Sequence, residues 1–212
     1  MKNIKKNIEK SYTRHLLKHN EEPTSVFLFM EELGEEEKVF YDHFNSFSSI
    51  KTEIWGDIAS ETLEKIKSEE VYLQYSVREK LLSFYFTLLE LLKNQRSFVV
   101  YCFEQHKPKS PSLSPSFLRT FREQFEDFMN ELINEGMDTN EVKNRPVIGD
   151  RYADIVWYQL LLLIRFWIKD ESNGFEQTDV AVEKNVNLVM DLLGETVFDS
   201  ALDFAKFLLQ KK

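Results

Sequence analysis

The residues with the most recognisable chemistry lie between Phe27 and Ser46. Their apolar spacing predicts a helix, a tight turn at Gly34 and a short second helix. That order is typical of a helix-turn-helix element that reads DNA. Lys38, in the second helix, is the one cation placed to reach a base edge, most naturally that of guanine. The stretch therefore indicates nucleic-acid recognition.

The charge of the same stretch argues against that interpretation. Residues 21–50 carry eight acids and one base, Lys38. Carboxylates that face DNA repel its phosphates, although a single glutamate can accept a hydrogen bond from cytosine N4. Glu35, Glu36 and Glu37 also stabilise the beginning of a helix through its macrodipole. Both interpretations of these acids stay open at the level of sequence.

Residues 2–20 are predicted to form a basic first helix. Ile4, Ile8 and Tyr12 begin an apolar stripe along one face. The remaining faces carry one acid, Glu9, and six cations: Lys2, Lys5, Lys6, Lys10, Arg14 and Lys18. These cations suit contacts with a DNA backbone, and they equally suit a solvated amphipathic helix.

The overall composition limits the possible partners. The chain has 212 residues, a net charge of -9 and a pI of about 5.1, so DNA binding requires a local basic patch. The single cysteine, Cys102, excludes an intramolecular disulfide and is interpreted as a small buried side chain. The most apolar run, 155–168, is too short to span a bilayer, and no signal peptide is evident. We expect a cytoplasmic protein with no membrane partner.

The periodicity predicts an all-α fold of about nine helices, because no alternating strand pattern appears. We divide the chain into a three-helix head, residues 1–47, and a helical body, residues 48–212. A Pro- and Ser-rich loop interrupts the body at 107–115. The predicted helices after the first are 25–33, 35–43, 48–67, 77–105, 117–134 with Gly136 ending it, 147–169, and 178–211 with a pause at Gly194.

No catalytic constellation is present in the sequence. It has no glycine-rich phosphate loop, no strained nucleophile turn, and no nucleophile paired with a base. His15 and His19 have the spacing of metal ligands on a helix but have no third ligand nearby. We therefore expect no enzyme activity, no cofactor and no metal.

The chain resembles the tetracycline-repressor (TetR) family of bacterial transcription regulators. The resemblance is strongest over residues 24–55 and rests on the element Phe40-Tyr41-Asp42-His43-Phe44-Asn45-Ser46, followed by Ile50 and Trp55. The length, the helical body and the position of the head agree with it. One departure is Phe47, where the family usually has a lysine that touches a phosphate.

The resemblance implies a homodimer whose two heads bind successive major grooves of double-stranded operator DNA. Tyr41 and His43 match family positions that contact the DNA backbone. The predicted DNA-binding residues are Lys5, Thr24, Lys38, Tyr41 and His43. Phe40 and Phe44 are expected in the core of the head.

The resemblance also implies a pocket in the body for a small-molecule effector. Arg96 and Arg165 lie within apolar runs, where they would orient a ligand or pair with Glu90 or Asp154. The predicted ligand-binding residues are Phe86, Arg96, Tyr101, Phe125, Trp157 and Arg165. In the resembled family the last two long helices form the dimer interface, and the apolar excess of the corresponding helices here is consistent with that.

These observations favour a TetR-like transcription regulator that binds operator DNA as a homodimer and responds to an effector. The alternative is a module of the same fold that binds a ligand or a protein and has lost DNA binding. The acidic second helix and Phe47 favour the alternative, while the basic first helix and the Tyr41–His43 element favour the regulator.

Overall fold

The computed structural model describes residues 2–105, 114–143 and 151–194, and these residues form an all-α fold, as predicted. No strand occurs in those three segments. They contain nine α-helices: α1 Lys2–His19, α2 Val26–Glu32, α3 Glu37–Tyr41, α4 Phe47–Lys67, α5 Val77–Asn94, α6 Arg96–Gln105, α7 Arg119–Thr139, α8 Tyr152–Lys169 and α9 Glu176–Leu193.

The described residues divide into two compact units. Unit 1 contains the residues up to Lys65 together with Thr87–Phe125. Unit 2 contains Ile66–Phe86 and the residues from Glu126 onward. The predicted head, residues 1–47, therefore lies within a larger unit that also includes most of α4, all of α6 and the beginning of α7. The functional boundary after residue 47 stays a prediction.

The helix-turn-helix of unit 1 has the predicted local structure. The Ser25 hydroxyl caps α2 by accepting a hydrogen bond from the Leu28 N–H at 3.1 Å. Gly34 adopts the left-handed conformation with φ 71°, which lets the chain leave α2 and enter α3 within a few residues. The third helix is shorter than the predicted 35–43.

Two serines fix the beginning of α4. The Ser49 N–H donates to Ser46 Oγ, and the Asn45 and Ser46 N–H groups donate to Ser49 Oγ, each at 3.2 Å. This reciprocal arrangement satisfies N–H groups that a helix beginning leaves free. As a result Phe47, rather than Ser48, is the first residue of α4.

The structure corrects two predicted helices of the body. The run 77–105 is two helices, because the Gln95 N–H bonds to the Leu92 carbonyl three residues back and Gln95 O accepts from the first turn of α6. Gly136 does not end α7, which continues to Thr139 and stops where Asn140 becomes left-handed with φ 64°.

Gly136 is needed for close packing rather than for a turn. A Cβ at this position would lie 2.3 Å from Cγ2 of Val142 and 3.2 Å from Cγ2 of Val77. Both valines are buried. The missing side chain therefore lets the segment that follows α7 fold back onto the helix, where the Val142 N–H bonds to the Gly136 carbonyl at 2.9 Å.

The turn from α8 to α9 is organised by one buried carboxylate. Asp170 accepts hydrogen bonds from the N–H and hydroxyl groups of Ser172 and from those of Thr178, at 2.6 to 2.9 Å. These hydrogen bonds stabilise the charged form and lower the pKa of Asp170 to about 2. The beginning of α9 is thereby fixed to the end of α8.

Parts of four predictions lie outside the described residues. They are most of the 107–115 loop, the beginning of the helix predicted at 147, the segment after the pause at Gly194, and the part of the predicted dimer interface that this last segment would supply.

Gly136→Ala should destabilise the protein by about 1–3 kcal/mol, because the new methyl group collides with Val142 in a buried site. Alanine's better helix propensity, about 1 kcal/mol, acts in the opposite direction. Urea unfolding followed by circular dichroism measures the difference. Gly136→Ala should cost less free energy of unfolding in the Val142→Ala background than in the wild type, because the colliding methyl group of Val142 is then absent. Strictly additive costs of the two substitutions would contradict this account of the close approach.

Candidate functional site

Phe47 is the centre of an aromatic cluster that joins the first four helices. Its ring stacks on Tyr12 of α1 at 5.6 Å between centroids and meets Phe29 of α2 and Phe40 of α3 edge-on at 5.5 and 5.4 Å. These are favourable aromatic geometries. The residue that departs from the family pattern therefore packs the head together.

A polar link accompanies this cluster. The Tyr12 hydroxyl donates to Glu22 Oε1 at 3.0 Å, and Lys51 Nζ of α4 pairs with the same oxygen at 2.6 Å. Burial, followed by the nearby Glu22 charge, raises the pKa of Tyr12, so its hydroxyl remains a donor. The link fastens the segment after α1 to the beginning of α4.

The cluster holds α3 with one face inward and one face outward. Phe40 and Phe44 are buried, as predicted. Lys38 is exposed, and Tyr41 keeps 53% of its surface accessible. Of the remaining predicted contacts, Thr24 is exposed just before the Ser25 cap, and His43 is half-buried beside Phe44. We call the exposed face of α3, with Thr24 and His43, the reading surface.

The acids of the reading surface are exposed. Glu35, Glu36 and Glu37 lie at the beginning of α3, and Asp42 lies at its end. Within the described part of the chain none of these four forms an ion pair, and Glu36, at the N-cap position, makes no side-chain capping bond. Their charge is therefore directed to solvent or to a partner.

The basic first helix is partly neutralised by α4. Lys5, a predicted DNA contact, is half-buried, pairs with Glu53 and lies 6.0 Å from the centre of the Phe44 ring. Lys6 pairs with Asp57 and with Glu9, the latter at 2.9 Å. The α1 cations that have no ion pair among the described residues are Lys10, Arg14 and Lys18.

The predicted ligand-binding residues fall in both units. In unit 1, Arg96 and Tyr101 line one cavity of about 320 Å³ together with Leu16, Asn20 and other residues, and Phe125 is fully buried in the core. In unit 2, Trp157 is fully buried, Phe86 is 40% exposed, and Arg165 is half-buried with bonded partners. Arg96 and Tyr101 are thus the predicted pair that one cavity brings together.

Sequence reasoning missed Tyr85 of α5 and Asn185 of α9, which meet inside unit 2. Tyr85 is fully buried, and burial raises the pKa of its hydroxyl despite the nearby Asn185. Tyr85 Oη and Asn185 Nδ2 are both buried without a completed hydrogen bond among the described residues. Buried polar atoms of this kind orient ligands in apolar pockets. No periodic signal marks such a pair, because both residues lie within ordinary helical patterns.

The last two described helices expose large apolar side chains. On α8, Leu162 and Phe166 are 67% and 43% accessible, and on α9, Val180 and Leu188 are 51% and 56% accessible. Apolar side chains grouped on neighbouring helices mark an interaction surface more often than scattered single residues do. We call these four residues the α8–α9 apolar face.

Among the described residues, no three His, Cys, Asp or Glu side chains are grouped to hold a metal ion. In the same part of the chain, every helix is too short or too polar to cross a membrane.

The capped helix-turn-helix of α2 and α3 is an element that recurs in DNA-binding proteins. A sequence model of the tetracyclin repressor-like C-terminal domain matches residues 80–208. Because that match spans more than half of the chain, the protein belongs to the TetR family of transcription regulators. The family resemblance, which rests on residues 24–55, is thereby confirmed by a match to a different part of the chain.

Solved structures agree on the fold. A protein from Syntrophomonas wolfei assigned to the TetR family superimposes with a TM-score of 0.70 at 16% identity, covering 91% of this chain and 97% of that one. A Shewanella sp. PV-4 protein of the same assignment gives 0.62 at 16%, covering 90% and 98%. PfmR, a TetR-family regulator of Thermus thermophilus, gives 0.52 at 20%, covering 86% and 96%. No curated protein sequence matches the chain.

Phe47→Ala should destabilise the head by about 2 kcal/mol, because it removes a half-buried ring that contacts three helices. Tyr41→Ala is the matched control, since it removes a largely exposed ring and should change stability by about 0.5 kcal/mol or less. The urea midpoint from circular dichroism measures both. Equal midpoints for the two variants would show that Phe47 does not organise the head.

Proposed function

We propose that the protein is a homodimeric transcription regulator that binds operator DNA through residues 1–47 and responds to a small molecule bound in its body. The observation that carries this proposal is the reading surface: α3 follows the capped helix α2, is held by the Phe47 cluster, and presents Lys38 and Tyr41 outward. Membership of the TetR family supports it.

The electrostatics of unit 1 favour particular residues for DNA contact. Phosphates attract cations that are not already neutralised. Lys10, Arg14 and Lys18 on α1, and Lys38 on α3, meet that condition within the described residues. Lys5 reaches a phosphate only after separating from Glu53. We therefore expect it to contribute less to DNA binding than Lys38 does. Thr24, Tyr41 and His43 supply side chains that can hydrogen-bond to the DNA backbone.

A second candidate function follows from the unpaired acids. Glu35, Glu36, Glu37 and Asp42 surround Lys38 with negative charge, and nothing in the described chain neutralises them. A surface of this sign fits a basic protein partner better than a polyanion. In this alternative, the helix-turn-helix is kept as a scaffold and the protein acts as an interaction or ligand-binding module.

The dimer is proposed to form through the α8–α9 apolar face. Leu162, Phe166, Val180 and Leu188 would bury their accessible surface against the same residues of a second copy, as a two-fold interface requires. The effector would favour a body conformation in which the distance between the two heads does not match two half-sites one helical turn apart.

The six predicted ligand-binding residues are proposed as effector contacts, each within its own unit: Arg96, Tyr101 and Phe125 in unit 1, and Phe86, Trp157 and Arg165 in unit 2. Arg96 and Tyr101 are supported by their shared cavity. For unit 2 the Tyr85 and Asn185 pair is added, because its buried polar atoms have no hydrogen bond among the described residues and offer a donor and an acceptor there.

DNA binding is tested by selecting bound sequences from a random-sequence pool and from DNA around the protein's own coding region. Lys38→Ala and Tyr41→Ala should each weaken binding to the selected DNA about tenfold or more, because each removes a contact at the reading surface. Anisotropy titrations at several salt concentrations should show affinity falling steeply with salt. Failure to enrich any sequence from either source would favour the interaction module.

Replacing Glu35, Glu36 and Glu37 together by Gln distinguishes the two functions. If α3 faces DNA, removing three charges about 8 Å from phosphates should strengthen binding about five- to tenfold at low salt. The matched control replaces the exposed Glu70, Glu123 and Glu171 by Gln, which changes net charge equally. Equal effects from both triple variants would place the acids away from the DNA.

Leu162→Glu should convert the dimer to a monomer, because it buries a charge in the centre of the proposed interface. Analytical ultracentrifugation measures the mass in solution. Leu73→Glu is the matched control, since Leu73 is 87% exposed outside α8 and α9 and should leave the assembly unchanged. A monomeric wild-type protein, or a dimer that survives Leu162→Glu, would contradict the assignment of this face.

A further inference from the structure

A groove of about 1000 Å³ lies between α1 and α4 in unit 1. Its apolar lining includes Leu17 of α1 and Ile54 and Ile58 of α4. Leu17 is 46% exposed, whereas the two isoleucines are buried. The groove is therefore wide enough for a small organic molecule and has an apolar surface for it to contact.

Glu9 is the unusual residue of this groove. It is only 5% exposed, and its Oε1 atom is buried with no hydrogen-bond partner among the described residues. A buried carboxylate oxygen without a donor is costly, since it has lost its water and gained nothing in exchange. Burial accordingly raises the pKa of Glu9, although the neighbouring Lys6 opposes the shift.

Around Lys6, two carboxylates share one ammonium group. Lys6 Nζ lies 2.9 Å from Glu9 Oε2 and also pairs with Asp57, so one ammonium serves two carboxylates. The Lys6 side chain is 61% exposed and long enough to move away. Its ammonium occupies a position that a ligand ammonium would find equally favourable.

We propose that the α1–α4 groove is a binding site for a small organic cation, a primary ammonium attached to an apolar group. The ammonium binds between Glu9 and Asp57, replacing Lys6 and supplying a donor to the unpaired oxygen. The apolar group packs on Leu17, Ile54 and Ile58. The site lies in the unit that contains the helix-turn-helix. Leu17 also lines the cavity of Arg96 and Tyr101, whereas neither of those two residues lines the groove.

Three other lining cations, Lys10, Arg14 and Lys18, raise the competing possibility of an anionic ligand. All three are exposed. Exposed charges remain solvated and gain little from a partner, whereas the buried Glu9 gains much. The ligand is therefore expected to be selected by the buried carboxylate.

Phenethylammonium, 2-phenylethanol and 3-phenylpropionate form a matched set of a cation, a neutral molecule and an anion on nearly the same apolar group. We expect saturable binding of the cation to the full-length protein, with a dissociation constant of about 1 mM or lower for so small a ligand. The neutral molecule should bind at least about tenfold more weakly. NMR shift perturbations of α1 and α4 amides identify the site. Stronger binding of the anion, or no saturation by the cation, would overturn the proposal.

Two variants separate ligand binding from folding. Glu9→Gln should weaken phenethylammonium binding at least about tenfold, because it removes the buried charge. Lys6→Ala should strengthen binding severalfold, since it removes the competing ammonium, and a general loss of structure cannot produce that gain. Glu64→Gln is the control, as Glu64 lies exposed on α4 and does not line the groove. Unchanged or weaker binding by Lys6→Ala would contradict the replacement of Lys6.

Discussion

Aromatic packing along α4 is the constraint on which unit 1 depends. Phe47 at the beginning of the helix gathers Tyr12, Phe29 and Phe40 from three preceding helices. Two turns later, Trp55 packs its ring 5.9 Å from each of Phe103, Phe117 and Phe121. One helix therefore supplies the centre of both clusters. Because aromatic rings bury large areas in restricted geometries, the direction of α4 fixes where the helix-turn-helix can lie within unit 1.

The same helix decides which charges of α1 are available. Glu53 and Asp57, one turn apart on α4, neutralise Lys5 and Lys6. Lys10, Arg14 and Lys18 lie further along α1 and form no ion pair with the described residues. The basic helix predicted from composition is thus divided into a neutralised beginning and a charged end. The DNA-binding proposal relies on the cations at the end of α1, and the α1–α4 groove proposal relies on Lys6 near its beginning.

Local features of the fold were predictable where a single residue carries the physical reason. Gly34 has the backbone freedom that a left-handed turn needs, and Ser25 has the side-chain oxygen that a helix beginning needs. The prediction for Gly136 was wrong because glycine has two uses. Here it allows Val142 to approach, and that neighbour becomes visible only after the chain folds back. Phe47 departs from the family pattern, but its packing role could not be predicted, because its partners lie on three helices that are separate in sequence.

The sequence by itself determined the helical periodicity, the capped turn and the family, because these depend on residue types at short spacing. Tertiary structure decided which predicted site residues are accessible. Lys38 and Tyr41 face outward, while Lys5 pairs with Glu53, and Phe125 and Trp157 are fully buried. It also decided that Glu9 Oε1, Tyr85 Oη and Asn185 Nδ2 are buried atoms without a hydrogen bond among the described residues. Burial and pairing arise from side chains that are distant along the chain, so no local pattern encodes them.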